Sequence, residues 1–95
     1  MAALVIVQHP VPSFEGWKEM FDSDPVGRKE HGVERYWIAR SAQADYVMVG
    51  LEFATLAQAE AFEGLLEENL RSLWESFGGA GQVARVLEVV EEATV

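Results

Sequence analysis

The sequence predicts one α+β domain with the element order strand, helix, strand, strand, helix, strand. Three observations carry that expectation. Ala2 to Gln8 and Asp45 to Ala54 are short segments apolar on both alternating faces, apart from Glu52, as strands covered above and below would be. Leu56, Ala59, Phe62, Leu66, Leu70, Leu73 and Phe77 recur every three or four residues, the period of an amphipathic helix. Turn and cap residues then fall between the periodic segments instead of inside them.

The first strand stops at His9-Pro10-Val11-Pro12, because proline removes ladder donors. Ser13 is the N-cap of a helix carrying Phe14, Trp17, Met20 and Phe21 at helical spacing, weakened by about 1 kcal/mol at Gly16. Asp24-Pro25 is expected to restart a second helical stretch, through Arg28 and His31, that ends at Gly32. Gly32 to Arg40 reads as a strand, and Ser41 to Ala44 as the turn into the next, Asp45 to Ala54. Thr55-Leu56-Ala57-Gln58 is a capping box that opens the long helix. Gly78-Gly79-Ala80-Gly81 ends that helix, and Gln82 to Glu91 supplies the last strand.

Right-handed crossovers fold this order into a four-stranded antiparallel sheet, the ferredoxin-like β-α-β-β-α-β arrangement, with strands one and three central. Residues 1–95 make the single domain. Two helices cover one face of such a sheet, and a second copy of the chain is the simplest cover for the other, so a homodimer through the sheet face is expected. With an even turn at 41–44, Ile38 faces Val47 and Tyr36 faces Val49 on the helix side. Arg35, Trp37, Met48, Gly50 and Glu52 then share the outer face, where Arg35 and Glu52 pair diagonally.

A chain of 95 residues is near the lower end of what a plain hydrophobic core supports. It has no cysteine, which removes disulfides, thiolate zinc sites and cysteine nucleophiles from consideration. Its formal charge of −9 disfavours nucleic acid and anionic membrane surfaces as partners. Met1 to His9 lacks the pattern of a signal peptide, and no apolar run reaches the roughly 20 residues of a membrane span, so a cytoplasmic location is expected.

Two histidines without cysteine give no metal-ligand spacing, and neither a phosphate loop nor a Ser-His-Asp pattern is visible, so no metal and no cofactor are expected. His9, at the end of the first strand, is either a general base or ligand anchor at a pocket rim, or a side chain capping backbone groups. His31 suits the dipole at a helix end. Trp17 and Trp74 fall on the two helices near their apolar faces and either line a pocket for a flat molecule or fill the core. Arg28 and Arg40 are the cations best placed to hold an anion, although solvated surface charge also accounts for Arg40.

His9, Phe14, Trp17-Lys18, Phe21-Asp22, Arg28, Gly32-Val33, Tyr36, Arg40, Glu52-Phe53 and the Ala57, Ala59, Ala61-Phe62 rhythm resemble the dimeric α/β-barrel superfamily. That superfamily includes antibiotic-biosynthesis monooxygenases and small cyclase-type proteins. The resemblance covers nearly the whole chain and implies a barrel closed by two sheets face to face, with a pocket between helices and sheet in each subunit. Haem-degrading members use an Asn on the first strand, where this chain has Gln8 and His9; haem breakdown is therefore not expected. Ser41-Ala42-Gln43-Ala44-Asp45 replaces the Asp-Pro-Asn turn of close relatives.

Two functions follow as expectations. One is a cofactor-free monooxygenase- or cyclase-like enzyme on an aromatic or polyketide-like small molecule, with His9 as base, Trp17 and Trp74 as walls, and Tyr36 or Arg28 as polar anchor. The other is a non-catalytic dimeric module that binds a small hydrophobic ligand.

Overall fold

The computed structural model describes residues 2–11, 13–24, 27–41, 46–76 and 83–95, with the side chains of all but 68–76 and 83. The elements are β1 (Ala3–Pro10), α1 (Phe14–Asp22), β2 (Val33–Arg40), β3 (Tyr46–Phe53), α2 (Leu56–Ser76) and β4 (Val83–Glu88). The sheet runs β2-β3-β1-β4 with every pairing antiparallel, which is the ferredoxin-like order with β1 and β3 in the middle. Pro25, the turn residues 42–44 and Gly78–Gly81 lie outside the described residues.

Alternation decides the core. Ala3, Val5, Val7 and His9 of β1 and Val47, Val49, Leu51 and Phe53 of β3 are buried on the helix side. Ala59, Phe62 and Leu66 of α2 and Trp17 and Phe21 of α1 close over them. Phe53 and Phe62 meet with ring centroids 5.4 Å apart. Each large aromatic buried here removes 150–250 Å² from water, at most about 4–6 kcal/mol apiece.

The helix starts follow local chemistry. Ser13 Oγ accepts from Gly16 N at 3.2 Å, and Thr55 Oγ1 accepts from Gln58 N at 3.2 Å. Gln58 does not return to the Thr55 backbone, however: its Oε1 accepts from the Thr55 hydroxyl, so only half of the expected box forms. The second helical stretch is also shorter than expected. Among the described residues only a 3-10 turn, Lys29–His31, is found there, and it ends at Gly32 with φ +94°. Asp24 itself turns left-handed at φ 53°, which interrupts the helix directly after α1.

The β2–β3 hairpin closes on Ser41, whose N–H donates to Tyr46 O at 3.1 Å, instead of on Arg40 and Asp45. Ile38 therefore faces Val49 and Tyr36 faces Leu51, two residues from the expected register. A shift of two preserves parity, so each side chain keeps its expected face. Arg35 lies directly opposite Glu52, not diagonal to it, with Nη2 to Oε2 at 3.3 Å beside a bulge at Val33/Arg35.

The face away from the helices carries rows set by the register: Trp37, Gly50, Ile6 and Arg85 in one, and Arg35, Glu52, Leu4 and Leu87 in the next. Trp37 is 39% exposed and Leu87 45%. Among the described residues, no helix is long and apolar enough to cross a membrane.

Candidate functional site

β1 presents His9 two residues beyond Val7, so strand parity turns the imidazole toward α1, where it is fully buried. The Ser13 cap fixes the phase of α1 and brings Trp17, one turn in, over the sheet; the His9 and Trp17 centroids are 6.2 Å apart. From Trp17 the rings continue. Phe14 lies 5.8 Å away, Phe21 stacks on Trp17 at 5.2 Å, and Tyr36 meets Phe21 edge-on at 5.1 Å. A column of aromatic rings thus leads from buried His9 to Tyr36 at the sheet edge.

Two polar features sit at the inner end. A carbonyl only accepts, so the 3.0 Å approach of His9 Nδ1 to Pro10 O makes Nδ1 the protonated nitrogen and leaves the lone pair on Nε2. Burial holds the imidazole below its usual value of about 6.5, only partly offset by the bond to Pro10, so His9 is neutral near pH 7. Among the described residues, Trp17 Nε1–H is buried with no hydrogen-bond partner. A buried unsatisfied donor costs about 1–3 kcal/mol.

Arg28 builds the outer end. Its Nη1 donates to Phe21 O at 2.7 Å, and its guanidinium lies 3.9 Å from the Phe21 centroid and 5.1 Å from that of Tyr36. Asp24 fixes the base of this side chain: Oδ1 accepts from Arg28 N at 2.9 Å and lies 3.6 Å from Nε. Beside them opens a groove of about 590 Å³ lined by Asp24, Arg28, Lys29, Val33, Glu34, Arg35 and Tyr36.

The structure thus joins His9 with Trp17, and Arg28 with Tyr36, through Phe21. Trp74 lies in α2, but its side chain is outside those described. His31 stands apart, with Nδ1–H donating to Gly27 O at 2.9 Å and its ring edge-on to Phe62. Arg40 stacks on Phe14 at 4.7 Å. Phe21 as the link, and Asp24 as the anchor of Arg28, are not evident in the sequence. The i, i+4 spacing of Asp24 and Arg28 is the available signal. Among the described residues no three His, Asp or Glu side chains gather as a metal ion would require.

No protein-family model matches the chain, and no curated protein sequence matches it. Solved structures do. A dimeric ferredoxin-like protein from an uncultured marine organism shares 16% identity at TM-score 0.69, covering 97% of this chain and 98% of that one. A Mycobacterium tuberculosis protein shares 14% identity at TM-score 0.73, over 99% and 100%. A Deinococcus radiodurans protein, provisionally described as an antibiotic biosynthesis monooxygenase, shares 9% identity at TM-score 0.73, over 100% and 98%. These structures share the ferredoxin-like fold of this chain, the part of the resemblance that concerns the single subunit.

Proposed function

We propose that two copies of the chain pair through the sheet face away from the helices. Each copy then takes a small aromatic or polyketide-like molecule at the ring column, as a cofactor-free monooxygenase- or cyclase-like enzyme. The observation that carries this reading is the buried, neutral His9 imidazole beside Trp17. With Nδ1–H engaged on Pro10, Nε2 is the basic atom. It takes a proton from a CH2 group flanked by a carbonyl, and Trp17 Nε1–H is the donor at hand for the oxygen on which the negative charge collects.

The carbanion then has two outcomes. In the oxygenase version it gives one electron to O2, and the resulting radicals combine to a peroxide anion that recovers the proton from His9. Loss of water leaves a carbonyl, with one oxygen atom in the product and one in water. In the cyclase version it attacks a carbonyl carbon of the same molecule, a carbon–carbon bond forms, and the alkoxide recovers the proton. Trp17 serves as a wall, and Arg28 or Tyr36 as polar anchor.

The dimeric likeness of the solved marine protein and the partly apolar outer sheet face support the pairing. A non-catalytic dimeric module binding a small hydrophobic ligand is the second reading, and the complete enclosure of His9 favours it. Oxygen uptake and product mass on polycyclic ketones and 1,3-diketones distinguish the two: turnover should vanish in His9→Ala. Equal turnover in that variant refutes the role of His9, and a stable monomer at micromolar concentration refutes the pairing.

A further inference from the structure

We infer that the groove beside Arg28 is a binding site for a flat aromatic monocarboxylate, its carboxylate on the Arg28 guanidinium and its ring against Tyr36 and Val33. This goes beyond the preceding reading, since the ligand is held at the groove and not at His9.

The charge distribution is the first argument. The chain has seven Lys and Arg against sixteen Asp and Glu. Three of those seven cations, Arg28, Lys29 and Arg35, line this one groove with two carboxylates, Asp24 and Glu34. Asp24 pairs with Arg28 and Glu52 pairs with Arg35, so the lining carries no large positive excess. That balance suits a monoanion, whereas a dianionic phosphate would meet Asp24 and Glu34 with a charge in excess.

The state of Arg28 is the second. Its side chain is only 18% exposed, against 77% for Arg35. The bond to Phe21 O, the stack on the Phe21 ring and the Asp24 carboxylate hold it in place, so little rotamer entropy remains to be lost on binding. Of its five N–H donors the bond to Phe21 O uses one, which leaves capacity for a two-pronged carboxylate contact. Tyr36 is 47% exposed and supplies a ring beside the cation. The volume, about 590 Å³, falls within the range of small-molecule sites.

The lining includes neither His9 nor Trp17, so binding here is separable from chemistry at His9. The test is titration of the whole protein with salicylate, followed by the amide and Tyr36 ring resonances. Salicylamide serves as neutral isostere, cyclohexanecarboxylate as non-aromatic anion and inorganic phosphate as dianion. Saturable salicylate binding is expected to weaken about tenfold or more in Arg28→Gln, and by a similar factor for salicylamide on the unaltered protein. Tyr36→Ala should abolish the preference for salicylate over cyclohexanecarboxylate. Lys29→Gln, which leaves the Arg28 anchors intact, should weaken binding less than Arg28→Gln does. The inference is overturned if salicylate fails to saturate below about 20 mM, a weak limit even for a fragment. Binding unchanged in Arg28→Gln, or equal competition by phosphate, overturns it too. Binding that persists in His9→Ala supports the groove even where turnover is absent.

Discussion

Gly50→Ala should dislodge Trp37 from the outer sheet face. A Cβ at Gly50 would sit 2.5 Å from Trp37 Nε1, and closer still to Cε2 and Cζ2, so the indole lies flat on the glycine and a methyl group has no room. The ring must swing off the sheet. Trp37 is 39% exposed in the single chain, so it hides somewhat more than half of an indole's 150–250 Å², and losing that contact costs up to about 3 kcal/mol. In the proposed dimer the exposed remainder, roughly 80 Å², is covered as well, an upper bound of about 2 kcal/mol per copy and twice that across a two-fold interface. Sedimentation equilibrium should show the dimer weakened by up to about three decades, and tryptophan emission should shift to the red. A double-mutant cycle isolates the cause. In a Trp37→Ala background the clash is gone, and Gly50→Ala should stabilise by about 0.5–1 kcal/mol through the lower entropy of the unfolded chain. Effects additive to within about 0.5 kcal/mol would refute the stacking, and an unchanged dimer would refute the claim that this face is the interface.

Other perturbations reach separate parts of the fold. His9 is held neutral, so the unfolded chain binds the extra proton first as pH falls below about 6.5. Stability should therefore decline on acidification from pH 7 toward 5.5, by no more than about 1.4 kcal/mol per pH unit, and urea melts of His9→Gln should lose that component. Thr55→Ala removes the acceptor for Gln58 N and should lower stability by about 1 kcal/mol in thermal melts. Glu52→Gln breaks the ion pair with Arg35, whose side chain is 77% exposed, and should change stability by less than about 1 kcal/mol in the same assay.

The architecture is legible in the sequence because it depends on periodicity, and parity survives small errors. The alternation of Ala3, Val5, Val7 and His9 with Leu4, Ile6 and Gln8 gives the two faces of β1 directly, and it remains correct although the neighbouring hairpin pairs two residues further along. The site is less legible, since its contacts join elements distant in sequence. Trp17 and Phe21 mark the buried face of α1, but nothing in their spacing says that Phe21 will meet Tyr36 from β2. Asp24 shows the other limit. Its i, i+4 relation to Arg28 fits both a helix cap and an isolated tether, and only the left-handed backbone at φ 53° decides for the tether.

The enclosure of His9 places a requirement on any enzyme built this way: something must move to admit a substrate, and α1 is the element suited to it. It has nine residues, fewer than the roughly 12–15 at which an isolated helix becomes even marginal, and Gly16 weakens it further. Tertiary contact must therefore hold it, chiefly through Trp17 and Phe21. Burial of those two rings opposes opening by up to about 10 kcal/mol if both leave together, comparable with unfolding the whole domain. A smaller motion that turns Trp17 aside while Phe21 stays pinned, its carbonyl to Arg28 and its ring to Tyr36, costs about half as much. Access through the Ser13 end of α1 is therefore favoured over access through the Arg28 end. Amide exchange should then be faster around Gly16 and Trp17 than around Phe21 and Asp22. Uniform exchange at the rate of β1 and β3 would mean that α1 opens only with global unfolding, and His9 would then be a structural residue of the core.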